Sequence, residues 1–128
     1  MDPISNMLAR IKNAQLAGRE TLEIPFSRVK FEMAKIMERE GFLAKVEKKG
    51  VKGKQNLVLK LRYNLGIPAI QNLRRLSKPS RRVYVNAARI KSVKQGYGLA
   101  IISTPQGLMT DKEAKKNKLG GEILCEIW

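Results

Sequence analysis

The chain has no histidine, one cysteine, and only 11 Asp and Glu against 26 Lys and Arg. Without histidine the commonest general base and the commonest metal ligand are gone. The lone Cys125 has no disulfide partner within the chain, which suits a reducing compartment without demanding one. It alternates with Ile123 and Ile127, so it reads as a small buried hydrophobe, and no neighbour in sequence lowers its pKa. No apolar run approaches a transmembrane length, and no basic helix carries a strongly amphipathic set of bulky apolar side chains. The first residues lack the charged start and apolar stretch of a signal peptide. A phosphate loop, a metal-ligand cluster and a nucleophile–base arrangement are all missing too. These absences weigh against an enzyme and against a membrane partner.

What is present is positive charge. The net charge is +15, and both halves carry it: 14 bases and 7 acids in residues 1–66, 12 and 4 in residues 67–128. Self-repulsion on that scale opposes compaction, and a polyanion relieves it. Hydrophobic content of 43% is enough for a core, so the chain reads as one compact unit or two small lobes. Nucleic acid is the favoured partner.

Local signals outline an α+β fold. Asp2-Pro3 opens a helix with Ile4, Met7, Leu8, Ile11 and Ala14 as its apolar stripe, stopped by Gly18. Thr21–Ile24 alternates as a strand and ends at Pro25. Ser27 caps a second helix, with Phe26 and Phe31 at staple spacing, Met33, Ala34, Ile36 and Met37 buried, and Gly41 as the stop. Residues 42–49 and 56–63 read as a hairpin around the Gly50–Gly53 turn. The first lobe, 1–66, is thus helix-strand-helix-strand-strand, an open sheet covered by two helices. Residues 64–68 are the expected connection to the second lobe, 67–128. That lobe reads as short antiparallel strands at 70–76, 83–85, 99–103 and 122–128, with short helices at 87–93 and 111–117. Thr110-Asp111-Lys112-Glu113 is a capping box, with Asp111 adding charge that the helix dipole favours.

Two stretches are candidates for contact with nucleic acid. Between Arg74 and Lys94 stand eight bases and no acid: Arg74, Arg75, Lys78, Arg81, Arg82, Arg89, Lys91 and Lys94. A charge run is usually a solvated face. Here the bases interleave with strand residues, and Tyr84 offers a ring on which an unpaired base can stack, or else is a half-buried strand tyrosine. The second stretch is the polar turn Ser103-Thr104-Pro105-Gln106-Gly107 that follows the apolar run Leu99–Ile102. Its hydroxyls read either as turn chemistry or as donors to ribose, phosphate and base edges. Gly107 either takes a positive φ or lets RNA approach the backbone. Gly120-Gly121 likewise reads either as backbone open to RNA or as a helix stop before a strand. Glu122 is expected to point away from Ile123, Cys125 and Ile127 by simple alternation. On the first helix, Arg10 and Asn13 lie off the apolar stripe.

The blocks Gly98–Thr104, Gly107–Ala114 and Gly120–Cys125 resemble the bacterial small-subunit ribosomal protein eight family. So do Asp2-Pro3-Ile4 through Arg10–Ala14, and Ser77-Lys78-Pro79 followed by Arg82–Val85. The resemblance spans essentially the whole chain in the family's order. It implies a primary binder of the central domain of 16S ribosomal RNA, in the cytoplasm, with small-subunit proteins five and twelve as neighbours. A messenger RNA that mimics the ribosomal site is a further candidate ligand. The resemblance also places Gly121 and Glu122, the end of the Gly-Gly-Glu motif, at the RNA-contacting surface. It brings the first helix, with Arg10 and Asn13, toward RNA, a solvated face being the alternative. Two positions depart from the pattern: Pro105 replaces a common serine, removing a hydroxyl and an amide donor, and Ser80 replaces a common glycine. Lys78, Arg81, Arg82 and Lys91 are the expected phosphate contacts. No cofactor is implied. The competing readings are a nonspecific nucleic-acid-binding protein, for which charge alone suffices, and a small enzyme built on Ser103, Thr104, Asp111, Lys112 and Glu113.

Overall fold

An apolar residue every three or four positions builds helix α1 (Pro3–Leu16), which buries Ile4, Met7, Leu8, Ile11 and Ala14. The computed structural model describes residues 2–128. Helix α2 (Arg28–Arg39) begins where the Ser27 side chain accepts from the Lys30 amide. Phe26 and Phe31 close its first turn with ring centroids 6.0 Å apart. Strands β1 (Thr21–Pro25), β2 (Leu43–Lys49) and β3 (Asn56–Leu61) form an antiparallel sheet in the order β1-β3-β2. α1 packs on β1, α2 packs on β2, and the helices meet each other. The alternation on β3 buries Leu57, Leu59 and Leu61. Fully burying one such side chain contributes about 1.5–3 kcal/mol.

The stretch expected to connect two lobes is itself structured. Tyr63–Asn64 (β4) pairs with Ile67–Pro68 (β5) around Leu65 and Gly66, whose φ values of +53° and +81° suit a tight hairpin turn. The Tyr63 hydroxyl donates to the Arg19 carbonyl at 2.6 Å. The chain divides into one unit at Pro3–Ile70 and another at Gln71–Trp128, with Asp2 grouped with the second.

In the second unit β6 (Leu73–Arg75), β7 (Tyr84–Val85), β8 (Leu99–Thr104), β9 (Gly107–Thr110) and β10 (Gly121–Ile127) make one antiparallel sheet. Its order is β6-β10-β8-β9, and β7 also pairs with β10. Helix α3 (Asp111–Lys116) carries the expected capping box in full. Its first residue does more than complement the helix dipole. Buried Asp111 accepts the Ala100 amide at 3.1 Å, just past the point where β9 ends and the β8 ladder needs another partner.

Three expectations are corrected here. The helix expected at 87–93 is a single 3-10 turn, Ala87–Arg89, after which the chain extends. Ile90 and Val93, three apart, mimic a helical stripe, but they are buried with Ala100, Ile102 and Ala114. The polar turn is shorter than 103–107: Ser103 lies in β8, as the strand expected at 99–103 has it, Thr104 extends that strand, and Gly107 opens β9, a strand not anticipated. Finally, β10 does not alternate simply. Its register against β8 shifts between Ile123, opposite Ile102, and Cys125, opposite Ile101, which makes Leu124 the extra residue of a bulge. Cross-strand partners share a face, so Ile123 and Cys125 lie on opposite faces. Glu122 therefore points away from Ile123, as expected, but shares its face with Cys125 and Ile127.

Candidate nucleic-acid interface

The bulge decides which side chains gather. Glu122 lies opposite Ser103 on β8 and opposite Tyr84 on β7, so these three side chains stand in a row across three strands. Ser77, fully buried, donates its hydroxyl hydrogen to Glu122 Oε2 and accepts from the Val83 amide at 3.2 Å. Arg82 Nη1 donates to the same carboxylate oxygen at 3.1 Å. The Ser77 hydrogen bond, with Arg82 beside it, holds the Glu122 carboxyl below the usual glutamate range against the opposing effect of burial. The carboxylate is fixed, charged and part-buried. Tyr84 next to it is 70% exposed, its ring open to solvent.

The turn beyond Ser103 is locked from within. Thr104 donates its hydroxyl to the Gly107 carbonyl at 2.8 Å and accepts from the Gln106 amide at 3.1 Å. Its functional group is thus engaged in turn closure. The Ser103 side chain, by contrast, has no hydrogen-bond partner among the described residues. Pro105, with φ fixed at about −65°, opens the two-residue connection, and Gly107 at φ +110° closes it. Pro105, Gln106 and Gly107 are all exposed. The Gly120-Gly121 pair is a close approach of backbones rather than a helix stop. A Cβ on Gly121 would lie 2.0 Å from the Ser103 carbonyl oxygen, and one on Gly120 would lie 2.5 Å from that of Val85. β10 is pinched between β8 and β7 at the level of Ser103 and Glu122.

The basic run is not a uniform field. Arg74 pairs with Glu126 at 2.9 Å, and Arg75 pairs with Asp2 at 2.8 Å while donating to the Leu124 carbonyl at 2.6 Å. Lys94 lies 4.6 Å from the centroid of the Trp128 ring. Lys78, Arg81, Arg89 and Lys91 remain exposed and without an ion pair among the described residues. Lys78 and Arg81 exchange backbone hydrogen bonds at 2.9 Å in both directions, with Pro79 and Ser80 between them. Ser80 is not among the positive-φ residues, so the turn needs no glycine there. Arg89, Lys91 and Lys115 surround a shallow hollow with Ala88, Ile90 and Ser92. Cys125 is fully buried, and burial pushes its thiol up to about 12, which makes it inert.

In the first unit Arg10 and Asn13 share a helix face and line a groove with Ala14, Ala17, Arg19 and Leu22. Arg10 also donates to the Glu23 carbonyl at 2.9 Å, tying α1 to β1. Sequence reasoning selected Glu122, Arg82, Tyr84 and Ser103 separately, and the sheet brings them together. It missed Ser77 as a holder of the carboxylate, because 45 residues separate the two. Arg89 was noted only within the run, and Lys115 was not considered. Among the described residues there is no group of His, Cys, Asp and Glu able to hold a metal ion, and no helix is long and apolar enough to cross a membrane.

A family model described as Ribosomal protein S8 matches residues 2–128. Curated relatives named "Small ribosomal subunit protein uS8" are similar over nearly their whole length. The one from Thermus aquaticus is 44% identical, covering 99% of this chain and 98% of its own. The one from Persephonella marina is 47% identical over the same shares, and that from Sorangium cellulosum 45%.

Proposed function

Since the chain belongs to the ribosomal protein S8 family, we propose that it binds and organises the central domain of 16S ribosomal RNA as a primary binding protein. It is a structural, non-catalytic constituent of the small subunit of the cytoplasmic ribosome. The observation that supports specific recognition is the fixed Glu122 carboxylate between the free Ser103 hydroxyl and the open Tyr84 ring. A carboxylate on a basic protein repels phosphate, so a site that keeps one charged gains nothing from it in nonspecific binding. It can accept from a base amino group or a ribose hydroxyl, and it holds the Arg82 guanidinium in place. Ser103, Gln106 and the exposed backbone of Pro105 and Gly107 read edges and riboses. Thr104 and Gly121 keep that rim in shape. Lys78, Arg81, Arg82 and Lys91 neutralise phosphates, and Arg10 and Asn13 offer a second contact from the first unit. Small-subunit proteins five and twelve are the proposed neighbours, and a messenger RNA that copies the ribosomal site is a second proposed ligand.

Titration of the wild type and Glu122→Gln with the transcribed 16S central domain, and with an unrelated structured RNA of equal length, tests this at one salt concentration. The expected result is a loss of about tenfold or more for the central domain, as for a hydrogen bond to a charged group. Binding to the unrelated RNA should stay level or tighten. A parallel gain for both RNAs would make Glu122 an ordinary repulsive charge. Equal wild-type affinity for both would reduce the protein to a nonspecific nucleic-acid binder.

A further inference from the structure

The connection between β2 and β3 is unlike the rest of the first unit. Lys48 and Lys49 at the end of β2 and Lys52 and Lys54 in the turn crowd together there, all exposed, and none has an ion pair among the described residues. The nearest acid on the strand, Glu47, is taken by Lys45 at 2.7 Å. The ladder holds Lys49 opposite Asn56, and the Lys54 amide donates to the Val51 carbonyl at 2.9 Å, so the loop is a defined turn. Lys48 lies 5.3 and 4.8 Å from the centroids of Phe26 and Phe31. Those rings are part-buried and already faced by a cation, which leaves the tip with no free aromatic platform for a base.

We propose that Lys49, Lys52 and Lys54 form an accessory contact to the phosphate backbone of RNA, one that adds affinity without reading sequence. It rests on the ribosomal RNA reading above and extends it to a surface outside the candidate site. Lysines are compact point charges on flexible stems and lack the fork geometry that fixes a base edge or a single carboxylate. The tip holds no arginine, tyrosine or tryptophan, the residues that anchor protein partners, and Val51 is its one exposed apolar side chain. Charge without an anchor fits a polyanion of regular spacing better than a folded protein surface.

The test is a full-length Lys49→Gln/Lys52→Gln/Lys54→Gln variant, compared with the wild type on the transcribed 16S central domain and on unrelated structured RNA of equal length. Three lost phosphate contacts should flatten the slope of log affinity against log salt by about 2–3 and weaken binding at 0.1 M salt by about tenfold or more. The loss should be the same for both RNAs, so that their affinity ratio is unchanged. An unchanged slope overturns the proposal. So does a loss confined to the central domain, which would make the tip a reader of sequence. So does crosslinking of Lys52, in assembled subunits, to protein instead of RNA. If the wild type fails to prefer the central domain while the slope still flattens, the recognition reading falls and the tip stands.

Discussion

Two hairpin connections in this chain solve opposite problems. The one between β2 and β3 is rich in charge and closed by backbone alone: Lys52 and Lys54 lie within it and Lys48 and Lys49 at the end of β2, all exposed, with no side-chain hydrogen bond within the turn. The one between β8 and β9 has no charge at all: a proline, a glutamine, and a threonine hydroxyl bonded on both sides. On the accessory-contact reading the first can follow any phosphate chain, because Lys49, Lys52 and Lys54 have no hydrogen-bond or ion-pair partner to fix their stems and a phosphate contact is worth the same on any sequence. The second cannot follow anything. Its value is that Ser103 and the backbone beside it stay where the sheet puts them, next to a carboxylate that is also held. On the proposed reading charge supplies attraction and rigidity supplies choice, and this chain keeps them on separate turns.

The contrast breaks most sharply in the backbone. Gly121→Ala places a methyl 2.0 Å from the Ser103 carbonyl oxygen, and β8 and β10 must part to admit it. Chemical denaturation followed by Trp128 fluorescence should register a loss of about 3 kcal/mol or more. In the lysine turn, Gly53→Ala meets nothing within 4 Å and strains only a φ of +93°, a cost of about 1 kcal/mol. Similar losses at the two positions would mean that β10 is not pinched.

A second comparison separates the two hydroxyls of the rim. Thr104→Val removes a donor and an acceptor from the turn and should cost about 1–2 kcal/mol of stability, with weaker central-domain binding as a consequence. Ser103→Ala should leave the denaturation midpoint unchanged and weaken only the binding, by about 1 kcal/mol. If Ser103→Ala also destabilises the fold, its hydroxyl has a structural task and the division fails.

The smallest effect is the most diagnostic of Glu122. Its pKa is lowered on folding, so the charged form contributes stability that is present above the ordinary 4.5 and is lost as pH falls through that value to the folded one. Denaturation from pH 7 downward should therefore be steeper below pH 4.5 for the wild type than for Glu122→Gln, with parallel curves above it. Parallel curves throughout would leave Glu122 without its Ser77 and Arg82 partners in solution.

The parts of this structure readable from sequence are those set by neighbours in the chain. The Ser27 cap, the Phe26–Phe31 staple, the box from Thr110 to Glu113 and the stripe of α1 each fall within a few turns of helix, and each formed. What escaped depends on distance along the chain. Ile90 and Val93 have helical spacing but face a sheet whose strands arrive later, and the extended backbone wins because both side chains are buried that way. Gly107–Thr110 gave no alternating signal strong enough to separate it from the turn before and the helix after, yet pairing with β8 makes it a strand. The site follows the same division. Its residue types were legible, but the Ser77–Glu122–Arg82 cluster spans 45 and 40 positions and exists only once β10 is inserted between its neighbours.

Leu124 gives the length of β10 a meaning that its composition does not have. Before it the strand keeps one phase and after it the other, so the carboxylate of Glu122 and the thiol of Cys125 face the same way although they stand three positions apart. Any residue that fills the same space can replace Leu124 and preserve that arrangement. Pairing Leu124 into the ladder as an ordinary residue, with Cys125 still opposite Ile101, would shift Glu122 by one place on β8 and send it toward the side where Ile102 and Ala114 are packed, stranding a charge among apolar neighbours. In this strand losing the bulge is a frameshift in three dimensions: every residue survives, and the polar face is written on the wrong side.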